Sequence, residues 1–268
     1  FLGELIAWDM YRRSTTGSAL YPARYKPAYQ QLIQLYKEHD ELPLIAYFSD
    51  SFPHKLTNIS QFAKQQMSAN GKTLRNFGYY QWDNETACVE IWKRRLLNSM
   101  AKVKQLESDT DAFTQKEVDF VSRKLKQFSQ VINTNLCDAS FEIDRLFYMF
   151  DEEQKPELWL RLKSGQEIKF DGLPAGYKRL YSIVLDLAYR AYLLNRQADV
   201  EPTGLAMIDE IDLHLHPSLE TEVVERFTRT FPRLQFVMTS HSPLVISNLS
   251  SKDQRNRVFR LVAGEKTT

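Results

Sequence analysis

The run Gly204-Leu205-Ala206-Met207-Ile208-Asp209-Glu210-Ile211-Asp212-Leu213-His214-Leu215-His216-Pro217 decides how this chain is read. An apolar stretch ends abruptly in two adjacent acids. That is the pattern of a buried parallel strand whose C-terminal tip delivers carboxylates to the sheet edge. Downstream, Gln235-Phe236-Val237-Met238-Thr239-Ser240-His241-Ser242-Pro243 repeats the plan, with a histidine between two serines at its end. If the two strands are neighbours, Asp209, Glu210 and His241 meet at one edge.

A carboxylate suited to Mg²⁺, a second that polarises water and an imidazole that senses a phosphate are the parts of a nucleotide hydrolysis site. A rival reading is a metal site, because His214 and His216 with Asp209 and Asp212 supply ligand types. An i, i+2 histidine pair on an extended segment needs further ligands in fixed places, which makes the rival the weaker reading.

The 268 residues are 43% hydrophobic, enough to bury a substantial core. With 35 basic against 34 acidic side chains, the net charge of +1 gives no global field that argues for nucleic acid. Cys88 and Cys137 fit neither a disulfide framework nor a zinc cluster, so a reducing, cytoplasmic setting is expected. No apolar run reaches membrane-spanning length, and no membrane partner is expected.

Helical spacing marks Glu4 to Arg13 and Ala28 to His39, and Leu42 to Phe48 reads as a buried strand with Ser49-Asp50 as a polar turn at its tip. Gly71-Lys72-Thr73 is a turn in polar linker, since Gln66 stands where a phosphate loop's first glycine belongs. Residues 51–137 read as a helical insertion between an N-terminal part, 1–50, and a C-terminal part, 138–268. Its helices run from about Glu85 to Leu106 and onward from a capping box at Thr114 and Glu117, with Val118, Val121, Leu125, Phe128 and Ile132 on one face. Lys93, Arg94, Arg95, Lys102, Lys104, Arg123, Lys124 and Lys126 make a basic stripe, read as solvated surface with phosphate contact as the alternative. The aromatic run from Phe77 to Trp92 is a candidate partner contact, with burial in the insertion as the alternative.

Phe141 to Phe150 and Leu158 to Phe170 alternate as strands, the second folding back at Ser164-Gly165. Leu173-Pro174-Ala175-Gly176-Tyr177-Lys178 then turns into a long helix, Tyr177 to Asn195, whose amides and dipole suit a phosphate. A helix from Ser218 to Thr230 and an edge strand from Arg257 to Val262 complete the reading.

The strings around Asp209 and His241 resemble the Walker B strand, D-loop and switch histidine of ABC-type ATPases, the class of SMC and Rad50 proteins. Leu173 to Leu180 resembles the ABC signature, with Pro174 in place of the phosphate-binding serine and Tyr177 in place of Glu or Gln. The narrower resemblance is to the ATPases of the Septu antiphage system, also found as retron effectors, which work beside an HNH nuclease. The likeness lies mainly in residues 158–250.

It implies an α/β fold, an ABC-type ATPase head with a P-loop NTPase sheet flanked by helices and an inserted helical arm. It implies ATP and Mg²⁺, with Asp209 on the metal, Glu210 and His241 catalytic, and Ala175, Gly176, Lys178 and Asp212 on nucleotide. Expected partners are a second head in a homodimer, an HNH nuclease and, in a retron complex, a reverse transcriptase with its RNA/DNA product. Phe1-Leu2-Gly3 would be the remnant of a P-loop. An OLD-like nuclease, a repair ATPase of the SMC or RecF kind, and a nucleotide-gated scaffold with little turnover remain alternatives. Pro174 favours the last and Glu210 opposes it.

Overall fold

The apolar stretches that end in acids do form parallel strands. In the computed structural model, which describes residues 41–50, 61, 65, 75–82, 88–105, 112–130, 132, 141–196, 201–249 and 256–260, β1 (Leu44–Phe48), β5 (Gly204–Ile208) and β6 (Leu234–Met238) lie in the order β1-β5-β6. Both pairings are parallel, which requires crossovers; the second runs through α4 (Pro217–Glu220) and α5 (Val223–Thr230). The chain divides into Phe1–Leu42 and Pro43–Thr268, and these elements belong to the second unit. Gly204 opens β5 at φ 130°, where an added Cβ would sit 1.9 Å from the Leu44 carbonyl oxygen, so only glycine lets β1 approach.

The helix after the glycine turn, α3 (Ala175–Asn195), is buried continuously from Arg179 to Asn195. A helix apolar on every side is one covered on every side. Around α3 lie β1, the 3-10 turn Arg75–Tyr79, α1 (Cys88–Gln105) and α2 (Ala112–Ser129). The described parts of residues 51–137 thus pack along α3. Trp92 stacks on Tyr189 with ring centroids 5.5 Å apart, and Phe120 and Phe128 meet Tyr192 and Tyr181.

The described aromatic run is buried only in part, with Tyr79, Tyr80 and Trp82 half-buried. Phe77 and Trp92 are buried, and the Trp92 indole N–H donates to Asp186 at 2.7 Å. Arg190 pairs with Asp186 and donates to the Gly78 and Tyr80 carbonyls at 3.0 and 2.9 Å. The Tyr47 N–H donates to the Trp82 carbonyl at 2.8 Å, tying the run to β1.

The expected capping box gives way to a buried ion pair. Because α2 already starts at Ala112, Thr114 lies inside it, and Glu117 takes the Arg95 guanidinium at 2.7 and 2.6 Å and the Ser99 hydroxyl at 3.2 Å. Burial would lower the Arg95 pKa, but Glu117 reverses that and raises it. Lys124 also turns inward, donating to Glu201 and to the Thr230 carbonyl at 2.6 Å; burial lowers its pKa despite Glu201. The basic stripe is therefore broken, with Arg95 and Lys124 spent on packing.

β2 (Ile143–Phe150), β3 (Pro156–Leu162) and β4 (Glu167–Lys169) form an antiparallel sheet, with the hairpin turning at Ser164-Gly165 as alternation predicts. The expected helix from Ser218 to Thr230 breaks at Thr221-Glu222 into α4 and α5, and residues 256–260 form no strand. The expected helices of residues 4–13 and 28–39, Phe1-Leu2-Gly3 and Gly71-Lys72-Thr73 lie outside the described residues. Among the described residues no helix is long and apolar enough to cross a membrane.

Candidate active site

Flush register ends the three parallel strands together, with Phe48, Ile208 and Met238 side by side. Ser49-Asp50, Asp209-Glu210 and Thr239-Ser240-His241 therefore share one edge, the place where open parallel sheets hold ligands. Backbone bonds carry the alignment beyond the strands. The Asp209 N–H donates to the Phe48 carbonyl at 2.8 Å, and the Thr239 N–H to that of Ile208 and the Ile211 N–H to that of Thr239, both at 3.0 Å. The chain then turns sharply, with Glu210 at φ 46° and His214 at φ 63°. These left-handed values are sparsely populated by non-glycine residues and persist where the surroundings enforce them.

Thr239 joins the strand tips: its hydroxyl donates to the Asp209 carboxylate and accepts from the Glu210 N–H at 2.9 Å. The exposed His241 ring places Nε2 3.9 Å from the Glu210 carboxylate. The three side chains expected at one edge are there together. The serines beside His241 shape its loop. Ser242 caps α6 (Pro243–Ser247), accepting from the Leu244 N–H at 3.1 Å, and Ser240 accepts from the Ser242 N–H at 3.0 Å.

Arg179, on the second turn of α3, is buried beneath this edge. It donates to the main-chain oxygens of Asp209 at 2.6 Å, Glu210 at 2.8 Å and Ile211 at 3.4 Å. Burial pulls its pKa below the usual arginine value, against the attraction of Asp212, Glu210, Asp209 and Asp50. Asp50, read from sequence as a polar turn, thus adds its charge to the same cluster. One oxygen of Asp212, Oδ1, is buried without a hydrogen-bond partner.

The helix α3 starts at Ala175, two residues before the expected Tyr177, so Ala175, Gly176 and Lys178, expected on nucleotide, lie in its first turn. Gly176 is buried, and an added Cβ would lie 2.5 Å from the His214 carbonyl oxygen. Its lack of a side chain serves close packing against the turn after Glu210. Ala175 is exposed, and Lys178 sits 3.2 Å from Asp171, which also takes Lys93 at 2.8 Å. Burial would raise the Asp171 pKa, but Lys93 and Lys178 outweigh it and hold the carboxyl below its ordinary value. The position before the first turn of α3 is Pro174, and no side chain caps the helix there.

The rival metal site is not assembled. His216 is the N-cap of α4, its Nδ1 accepting from the Ser218 N–H at 3.3 Å. Among the described residues no group of three or more His, Cys, Asp or Glu is arranged to hold a metal by protein ligands alone.

Sequence reasoning missed Arg179 and Thr239. Arg179 follows another cation, Lys178, and nothing in the pair marks which one turns inward. Thr239 precedes the more conspicuous Ser-His-Ser.

A family model described as "AAA domain, putative AbiEii toxin, Type IV TA system" matches residues 76–247, which include α3, both strand tips and His241. The chain belongs to this AAA-domain family. Among proteins of known name, "Retron Ec83 probable ATPase" of Escherichia coli is 40% identical over 190 residues, covering 66% of this chain and 34% of the relative. "Retron Vc95 probable ATPase" of Vibrio cholerae serotype O1 biovar El Tor is 33% identical over 150 residues, covering 55% of this chain and 28% of the relative. "Septu protein PtuA" of Bacillus mycoides (strain KBAB4) is 36% identical over 81 residues, 30% of this chain and 11% of that protein. The chain thus spans about a third or less of the length of the curated relatives it matches. A solved SMC ATPase structure covers 58% of the chain at 13% identity and a TM-score of 0.38, a remote likeness.

Proposed function

We propose that this AAA-domain chain is the ATP-hydrolysing part of an antiviral defence complex of the retron or Septu kind. The observation that carries the reading is the convergence of Asp209, Glu210, Thr239 and His241 at one parallel-sheet edge. The names of the relatives, two retron ATPases and a Septu protein, support the setting.

The acidic edge formed by Asp50, Asp209, Glu210 and Asp212, with a buried Asp212 oxygen lacking a partner, fits a hard cation that takes oxygen ligands and shares them with phosphates. Asp209 would hold Mg²⁺, which when bound neutralises charge on the β- and γ-phosphates. Glu210 aligns the attacking water from the same turn, and His241, exposed to solvent beside it, meets the γ-phosphate. Thr239 orients the Asp209 carboxylate by a hydrogen bond. From the first turn of α3, the exposed Ala175, the half-buried Lys178 and the uncapped amides face the nucleotide of a second head, while Gly176 supports them from beneath. A partner HNH nuclease supplies the effector chemistry, and in a retron complex the reverse transcriptase and its RNA/DNA product are held alongside.

The test is Glu210→Gln in the full-length protein. ATP binding should survive, with turnover slowed by about two or more orders of magnitude. Turnover equal to the parent's would refute the assignment.

A further inference from the structure

We propose that Arg179 is a positioning residue for Glu210, holding the main chain in the turn that aims the Glu210 carboxylate across the sheet edge. The proposal rests on the reading of Glu210 as the water-aligning residue. Three successive carbonyl oxygens, those of Asp209, Glu210 and Ile211, converge on the one guanidinium at 2.6, 2.8 and 3.4 Å. They converge because the chain doubles back at Glu210, whose φ of 46° is unfavourable for a side chain with a Cβ. The planar fork of an arginine carries five N–H donors and spans such an array; an ammonium is a single point donor.

The partners of the other buried arginines make the choice of carbonyls telling. Arg95, Arg190 and Arg226 each take a buried carboxylate, from Glu117, Asp186 and Glu222 respectively. A buried cation with a carboxylate at hand normally uses it. Arg179 lies within the field of Asp50, Asp209, Glu210 and Asp212, yet its hydrogen bonds go to main-chain oxygens. The acids of the edge stay available for chemistry while their backbone is gripped from below. Gly176, nearly one turn earlier on α3, packs against the His214 carbonyl at the other end of the same turn. The first turn of α3 is thereby packed against the turn that carries the Glu210 backbone.

The experiment uses full-length Arg179→Lys and Arg179→Met beside Glu210→Gln. It reads ATP turnover, affinity for a fluorescent ATP analogue, thermal stability and hydrogen exchange of the amides of residues 209–215. For Arg179→Met, kcat should fall at least about tenfold with KM changed less than about twofold, and Arg179→Lys should fall between it and the parent. Exchange at 209–215 should quicken, and in the Glu210→Gln background the Arg179 change should cost no further rate, since both act on one step. A lowered melting temperature with kcat retained, or rate losses that multiply in the double variant, overturns the proposal. If Glu210→Gln itself leaves turnover unchanged, the hydrolysis reading fails separately. Exchange then judges the grip alone: unaltered protection in Arg179→Lys refutes it, and faster exchange upholds it. Should Arg179→Met not fold, Arg179→Lys carries every arm.

Discussion

Replacing Gly176 by alanine separates a packing glycine from one that faces a ligand. The new methyl would stand 2.5 Å from the His214 carbonyl oxygen and 3.0 Å from a Leu215 methyl. Because the first neighbour is backbone, relief requires moving α3 or the turn by several tenths of an ångström. Overpacking of this kind costs about 1–3 kcal/mol, against which alanine's helical preference over glycine returns about 0.5–1. The net expectation is a loss of about 0–2.5 kcal/mol, or a melting temperature lower by up to roughly 10 °C for a domain of this size. Thermal unfolding of the full-length protein checks this. Turnover measured alongside should fall, because the atom displaced belongs to the loop that carries Glu210. A variant that melts higher than its parent and hydrolyses ATP at the parent's rate would refute the argument, since a glycine open to solvent at a helix start gains from alanine.

Glu117→Gln should strand the buried Arg95 charge and cost about 3–5 kcal/mol, seen as a lower urea midpoint, while Arg95→Met with Glu117→Leu should recover most of it. A loss under about 1 kcal/mol for the single change would contradict the burial of the pair. Asp171 has a folded pKa below its ordinary 3.8, so its stabilising contribution is complete above that value and is lost as the pH falls through the depressed one. Asp171→Asn should therefore lower stability at neutral pH, with the deficit against the parent shrinking below about pH 4, so that the acid limb of the unfolding curve is flatter. An unaltered acid limb would show that Lys93 and Lys178 do not favour the ionised carboxyl.

The strands that build the site were legible because periodicity and length agree: a short apolar run that ends in acids has few other places to go in an α/β protein. The hairpin at Ser164-Gly165 and the central helix α3 were legible for the same reason. What misled was chemistry that a one-dimensional pattern leaves open. Thr114 and Glu117 carry the spacing of a capping box, but their meaning changed once Arg95 of another helix reached Glu117. Within the aromatic run the pattern alone could not tell which rings go inward: Phe77 and Trp92 are buried, while Tyr79, Tyr80 and Trp82 stay half-buried with Arg190 holding the Gly78 and Tyr80 carbonyls. In the site, Asp209, Glu210 and His241 were readable because each closely follows an apolar run that forms a strand. Arg179 was not, because its partners are main-chain oxygens, which every residue possesses and no sequence advertises.

The left-handed turn at Glu210 also bears on how the protein can be engineered. Glycine occupies such a conformation freely and asparagine nearly so, whereas glutamate holds it at a cost of order 1 kcal/mol or more. A screen for thermostability alone would therefore enrich position 210 in glycine or asparagine, and on the role proposed for Glu210 each gain in melting temperature would come with a loss of turnover. Stabilising this domain as a reagent means fixing residue 210 and seeking improvement elsewhere, for instance at the exposed Met149 and Phe150 on β2.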